Sequence, residues 1–223
     1  RPTSTIRHNF IYTTLEGMAT NTAFGLVNPF LGVYAIALGA SSLLVALLTA
    51  VPALANALVF LPAASLVERR KARLPVVLLW AGLHRLLYVA LALVPFLPVL
   101  QTGKAAVLVA IVTLMSVPGA ISGVAWTAMV GDMFPENRRG EVFGLRNMYI
   151  GLTSVLGTLA AGYLLDSVDF PANYLLLFMT AACFGGLGIA FMSRMREVAP
   201  PEKPGQEASQ GLISRVRDLL TDK

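Results

Sequence analysis

Residues 17–67 read GMATNTAFGLVNPFLGVYAIALGASSLLVALLTAVPALANALVFLPAASLV, 51 consecutive positions between Glu16 and Glu68 without a charged residue or a histidine. A helix needs ~20 predominantly apolar residues to cross a bilayer, so this run is long enough for two crossings and a tight turn between them. Further charge-free stretches lie at 86–103, 105–131, 147–165 and 170–193. Across all 223 residues, 56% are hydrophobic and only 13% are Asp, Glu, Lys or Arg, whereas soluble domains carry roughly 25% charged residues. Runs of Leu, Ala and Val this long lack the alternation of barrel strands. The composition therefore describes an all-α, multi-pass membrane protein.

Six transmembrane helices are expected, at about 10–38, 42–66, 75–98, 104–130, 141–165 and 172–193. Residues 1–197 then form the six-helix transmembrane domain and 198–223 a linker. The linker opens with Pro200, Pro201, Pro204 and Gly205, which break regular structure. Leu212, Ile213, Val216, Leu219 and Leu220 follow at helical spacing, as in a short amphipathic helix on a membrane surface. A solvated linker that happens to carry leucines is the alternative. Fifteen of the 17 Lys and Arg residues fall on one side of the expected spans; Lys104 falls on the other and Arg85 lies inside the third. Basic residues are retained on the cytoplasmic side, so both termini are expected in the cytoplasm. Arg146 counts here among the retained cytoplasmic residues, and Trp126 reads as an interfacial anchor.

The net charge of +5 does not imply a nucleic-acid partner, because the positive charges sit between apolar runs rather than on a water-soluble basic face. The single Cys183 offers neither a disulfide framework nor a metal-ligand spacing, and no cofactor or metal is expected. The chain opens on Arg1 rather than Met, and the expectation is that its true start lies upstream.

Polar groups inside the apolar runs mark the candidate site. Thr13, Thr14, Glu16, Gly17, Thr20, Asn21 and Asn28 fall on an arc of about 160° at 100° per residue, so one side of the first helix avoids lipid. Asn28-Pro29 interrupts the helical hydrogen bonding, which is tolerated where the freed groups face protein or a water-filled cavity. Charges at membrane depth are costly. At 1.5 Å per residue, Glu16 lies ~10 Å and Arg85 ~16 Å from the cytoplasmic ends of their spans, and the two are expected to pair. Such a pair serves either the packing of the bundle or the coupling of substrate or proton. His84 reads as a packed or hydrogen-bonded residue.

Two loops carry a resemblance. Ala64-Ser65-Leu66-Val67-Glu68-Arg69-Arg70-Lys71-Ala72-Arg73 resembles the signature loop between helices 2 and 3 of the major facilitator superfamily. Glu68 stands at the acidic position, with Arg69 and Arg73 at basic ones. Ala64 and Lys71 replace the two glycines of that signature, and Ala72 a basic residue. Asp132-Met133-Phe134-Pro135-Glu136-Asn137-Arg138-Arg139-Gly140 looks like the Asp-x-Phe-Pro-x-x-x-Arg-Gly segment between helices 4 and 5 of the same superfamily. The resemblance implies the N-terminal six-helix bundle of that fold, a 3+3 repeat, with a C-terminal six-helix half missing from this chain. It places a conformational switch at the cytoplasmic end on Glu68, Arg69, Arg73, Asp132 and Arg139. Since helix 1 lines the central cavity in that family, the resemblance makes Asn21 and Asn28 candidate substrate-binding residues, while Glu16 and Arg85 join them as candidates because they are charges at membrane depth; helix 3, which carries Arg85, tends to lie behind the cavity in the family. Hydrogen bonding within the bundle is the other reading of the two asparagines. The span 105–130 has no Arg and helix 5 no Gly-Pro-Gly-Gly, so proton-driven drug export is not implied.

The expected function is secondary active transport of a small solute, with or without a coupling ion, across the cytoplasmic membrane by alternating access. This chain would be one half of the transporter. A non-transporting membrane receptor or assembly protein is the alternative. An intramembrane enzyme is not expected, because Gly131-Asp132 and Ile121-Ser122-Gly123 are halves of protease motifs without the partner groups that chemistry requires.

Overall fold

The computed structural model describes residues 3–70 and 72–198. The chain forms α1 (Thr3–Val27), a 3₁₀ turn (Asn28–Phe30), α2 (Leu31–Ala37), α3 (Ser42–Glu68), α4 (Leu74–Leu93), α5 (Gln101–Met133), α6 (Glu136–Ser167) and α7 (Ala172–Met192). The linker's amphipathic helix falls outside the described residues.

Local chemistry places the boundaries. Asn28-Pro29 divides the first expected span, since Pro29 lacks an N–H to continue the ladder. α2 closes in a Schellman motif: Gly39 takes φ 83°, its N–H donates to Ile36 O (2.9 Å), and Ala40 N–H donates to Ala35 O (2.9 Å). Ser41 then caps α3 by accepting from Leu44 N–H (3.4 Å). Pro75 opens α4 and Pro135 precedes α6, positions where a missing N–H costs nothing.

Five helices, α3 to α7, are long and apolar enough to cross a bilayer. α1 stands outside that set because threonines and asparagines dilute its apolar content. The packing accounts for them: Asn9, Thr13, Thr14, Glu16 and Thr20, all on α1, are five of the seven buried polar or charged side chains among the described residues.

α1 packs on α6 and α7, α4 on α5 and α7, and α3 on α5, so the row of close neighbours runs α3, α5, α4, α7, α1, α6. The ends of that row are the least covered: in their most apolar windows α3 and α6 are 6% and 11% buried, against 28–33% for the other three. Two apolar clusters fill the bundle. One gathers Tyr34, Leu38, Leu91, Leu108 and Phe178, the other Val67, Val77, Met129, Phe134 and Met192. Between them, along α4 and α5, the core is interrupted by a cavity.

Candidate functional site: a charged cavity between the helices

Helix α1 supplies Glu16, Thr20, Asn21 and Phe24 to this cavity, which has a volume of about 360 Å³. α4 supplies Ala81, His84 and Arg85, α5 supplies Ser122, Trp126 and Thr127, and α6 supplies Arg146. Measured from the helix starts at 1.5 Å per residue, Glu16, Arg85 and Arg146 lie about 15–20 Å along α1, α4 and α6. Their mutual contacts set the three at one level across the bundle.

Glu16 is the hub. Its Oε2 lies 3.4 Å from Arg146 Nη2 and its Oε1 4.0 Å from Arg85 Nη2. Thr20 bridges the second contact, its hydroxyl donating to Glu16 Oε1 (2.9 Å) and accepting from Arg85 Nη2 (2.8 Å). Arg85 Nη1 also donates to Ala81 O (3.2 Å), and Arg146 Nε to Thr13 O (3.1 Å). The Arg146 guanidinium stands 4.6 Å from the Trp126 ring centroid, a cation–π arrangement. The side chains of Glu16, Arg85 and Arg146 are 5%, 10% and 9% exposed, so the charges are held by each other and by helix carbonyls.

The close approach of α1 and α6 makes this possible. At Gly25 a Cβ would clash with Ser154 O, and at Gly157 it would stand 2.9 Å from Thr22 O, both backbone atoms. Only glycine leaves room there. Thr153 and Thr158 of α6 donate to Met18 O (3.4 Å) and Gly25 O (3.0 Å) of α1, the small-residue and hydroxyl packing typical of membrane helices.

Asn21 faces the cavity while its Nδ2 donates to Gly17 O (2.8 Å). Asn28 lies elsewhere: with Asn56, Ser116 and Tyr88 it lines a second cavity of about 350 Å³, which shares Phe24, His84 and Gly119 with the first. His84 stands edge-on to the Phe24 and Tyr88 rings.

Among the described residues, the contacts of the five switch candidates fall at separate places rather than in one network. Arg73 Nη1 bonds Asp132 Oδ2 and donates to Ala128 O (3.0 Å). Arg139 donates to Gly131 O (2.6 Å) and Phe134 O (3.1 Å), covering carbonyls at the end of α5. Glu68 and Arg69 are exposed. The same end holds a contact no motif announced. Glu197 accepts from the backbone N–H of Arg73 and of Leu74 (3.2 Å), capping α4. Asn9 exchanges hydrogen bonds with Arg196, both 2.9 Å, and His8 Nε2 lies 2.9 Å from Arg194 O.

Arg146 corrects the sequence reading, which counted it with the loop. α6 begins at Glu136 rather than near 141, so Arg146 sits ten residues inside a helix. Trp126, read as an interfacial anchor, lines the cavity instead.

The sequence model of the Major Facilitator Superfamily matches residues 14–223. The chain belongs to that superfamily. Major Facilitator Superfamily members are membrane transporters rather than enzymes, and the long apolar helices and the superfamily match together make this chain a multi-pass membrane protein of a transporter superfamily. Comparison with curated proteins finds no match, and comparison with solved structures finds none.

Proposed function

We propose that this chain is one half of a secondary active transporter of the cytoplasmic membrane, which moves a small solute by alternating access through the Glu16, Arg85 and Arg146 cavity. The observation that carries the reading is the cavity's content: three buried ionic side chains on helices of a membrane bundle, between two apolar clusters. Charges so placed are expensive in a membrane and mark a solute or ion pathway.

In this reading α1, its 3₁₀ turn and α2 together form a sixth span, and the six spans are two three-helix repeats. The pairing pattern supports the repeat. Exchanging α1 with α5, α3 with α6 and α4 with α7 turns α1–α6 into α5–α3 and α1–α7 into α5–α4, and leaves α4–α7 unchanged. The five main helix contacts are thus one set under a single exchange, as internal repeats of transporters require. The bare helices α3 and α6 are where a second six-helix half docks, and the end held by Arg73, Asp132, Glu197 and Asn9 is the cytoplasmic one that opens and closes. Glu68, Arg69 and Arg139 flank that end and re-pair during the change.

A test needs no knowledge of the solute. Ser122→Cys is introduced into the full-length protein after Cys183→Ala, and a membrane-impermeant maleimide is applied to right-side-out and inside-out vesicles. Alternating access predicts labelling from both faces, whereas a static receptor is labelled from one face or neither. A reporter fused after Lys223 is expected in the cytoplasm, and finding it outside would overturn the topology.

A further inference from the structure

The charge balance of the cavity is uneven. Two guanidiniums, on Arg85 and Arg146, face one carboxylate, on Glu16, and the remaining titratable lining residue, His84, adds no negative charge. Buried charges are paired, so a cavity with one positive charge in excess favours a negatively charged occupant. The hydrogen bonds agree. Of the five N–H groups on a guanidinium, Arg85 commits two, to Ala81 O and Thr20 Oγ1. Arg146 also commits two, to Thr13 O and Glu16 Oε2. Three N–H groups on each arginine are therefore without a partner among the described residues. The Trp126 Nε1–H is a further donor that is buried and unpartnered in the same wall.

We propose that the solute is a small organic monoanion whose carboxylate binds between Arg85 and Arg146. One negative charge neutralises the excess, and a planar carboxylate matches the fork of a guanidinium. The rest of the wall suits an apolar body: the Phe24 ring, the Trp126 indole, Val77, Ala81 and Met192 face the same space. Glu16 is then a built-in competitor. It holds the arginines at 3.4 and 4.0 Å and would share them with the incoming carboxylate. An amine-bearing solute would find one attractive group and two repulsive ones.

The inference rests on reading the cavity as the solute path, and the experiment separates the two. In the full-length Ser122→Cys, Cys183→Ala protein, maleimide labelling is timed with benzoate, benzamide or benzylammonium, which share a ring and differ in charge. Benzoate is expected to slow labelling, and the other two at equal concentration are not. In Arg85→Gln or Arg146→Gln the benzoate concentration for half-protection should rise roughly ten- to hundredfold, the range one charged hydrogen bond supplies. In Glu16→Gln it should fall, because the internal competitor is gone. Equal protection by all three compounds, stronger protection by benzylammonium, or none by benzoate overturns the anion assignment while leaving the cavity reading intact. A Ser122→Cys side chain unreactive from both faces defeats the cavity reading itself. The three-compound series leaves the charge cluster unaltered, so it decides the matter even if the arginine variants fail to fold.

Discussion

Replacing Arg146 with methionine keeps much of the side-chain volume and removes the charge, and it is expected to destabilise the protein by about 2–3 kcal/mol, less than stripping a buried carboxylate of its last partner, because Arg85 stays on Glu16 and the cluster's excess positive charge is relieved. Glu16 is 3% exposed, so its charge depends on the groups around it. Coulomb attraction at 3.4 and 4.0 Å, with an effective dielectric constant near 20, amounts to about 5 kcal/mol for Arg146 and about 4 kcal/mol for Arg85. These are gross figures, offset by desolvation, but they show that each arginine supplies about half of what holds the carboxylate. Arg146→Met also forfeits the bond to Thr13 O (3.1 Å) and the contact with Trp126, and Arg85→Met the bonds to Ala81 O (3.2 Å) and Thr20 Oγ1 (2.8 Å), so the two should cost similar amounts. The assay is the temperature at which purified protein in detergent loses half of its monodisperse peak. A loss of this size lowers it on the order of 10 °C. Combined with Glu16→Gln, the double variant should be less destabilised than the two single effects added, with a coupling of about 1.5–3 kcal/mol. An Arg146→Met protein melting within about 1 °C of the parent, or a coupling of zero, would refute the reasoning.

Helix spacing gives a second test. Gly157→Ala places a Cβ 2.9 Å from Thr22 O and should cost ~1–3 kcal/mol by overpacking the α1–α6 contact. Gly151→Ala, on the same helix, meets nothing within 4 Å and should be neutral or stabilising by up to ~1 kcal/mol; the same melting assay reads both. At the other end of the bundle, Tyr34→Phe removes a buried hydrogen bond to Leu91 O (2.8 Å) and should cost ~0.5–1.5 kcal/mol, since that carbonyl keeps the Val94 N–H. A variant as stable as the parent would show that the hydroxyl contributes nothing.

What could be read in the sequence depended on whether the governing interaction was local. The apolar runs follow from bilayer thickness, and α3 to α7 emerge where length and composition place them. The Asn28-Pro29 break follows from the missing proline N–H. Glu16 and Arg85 stood out because a charge in an apolar run has few explanations. Arg146 escaped because it lies near a loop in sequence, and the start of α6 at Glu136 decided its depth. A signal was present: Arg146, Ile150, Thr153 and Gly157 recur at helical spacing, and all four meet α1. Glu197 left no such trace. Its bond to the start of α4 exists only because α7 returns the chain to that point, and no spacing along the sequence encodes the return.

The two ends of the bundle are fastened by different physics. One end is tied by Arg73 with Asp132, by Glu197 and by the Asn9 and Arg196 exchange. The other is closed by rings: Tyr34 stacks on Tyr174 at 4.4 Å and tilts against Phe178 at 5.0 Å. Mobile ions shorten the reach of the first kind of fastening to ~8 Å at physiological ionic strength and ~3 Å at 1 M, while they leave ring stacking almost untouched. Ionic strength therefore weakens the contributions of the Arg73–Asp132 pair and of the Glu197 carboxylate at one end, and leaves the neutral Asn9–Arg196 backbone bonds there and the aromatic end nearly untouched.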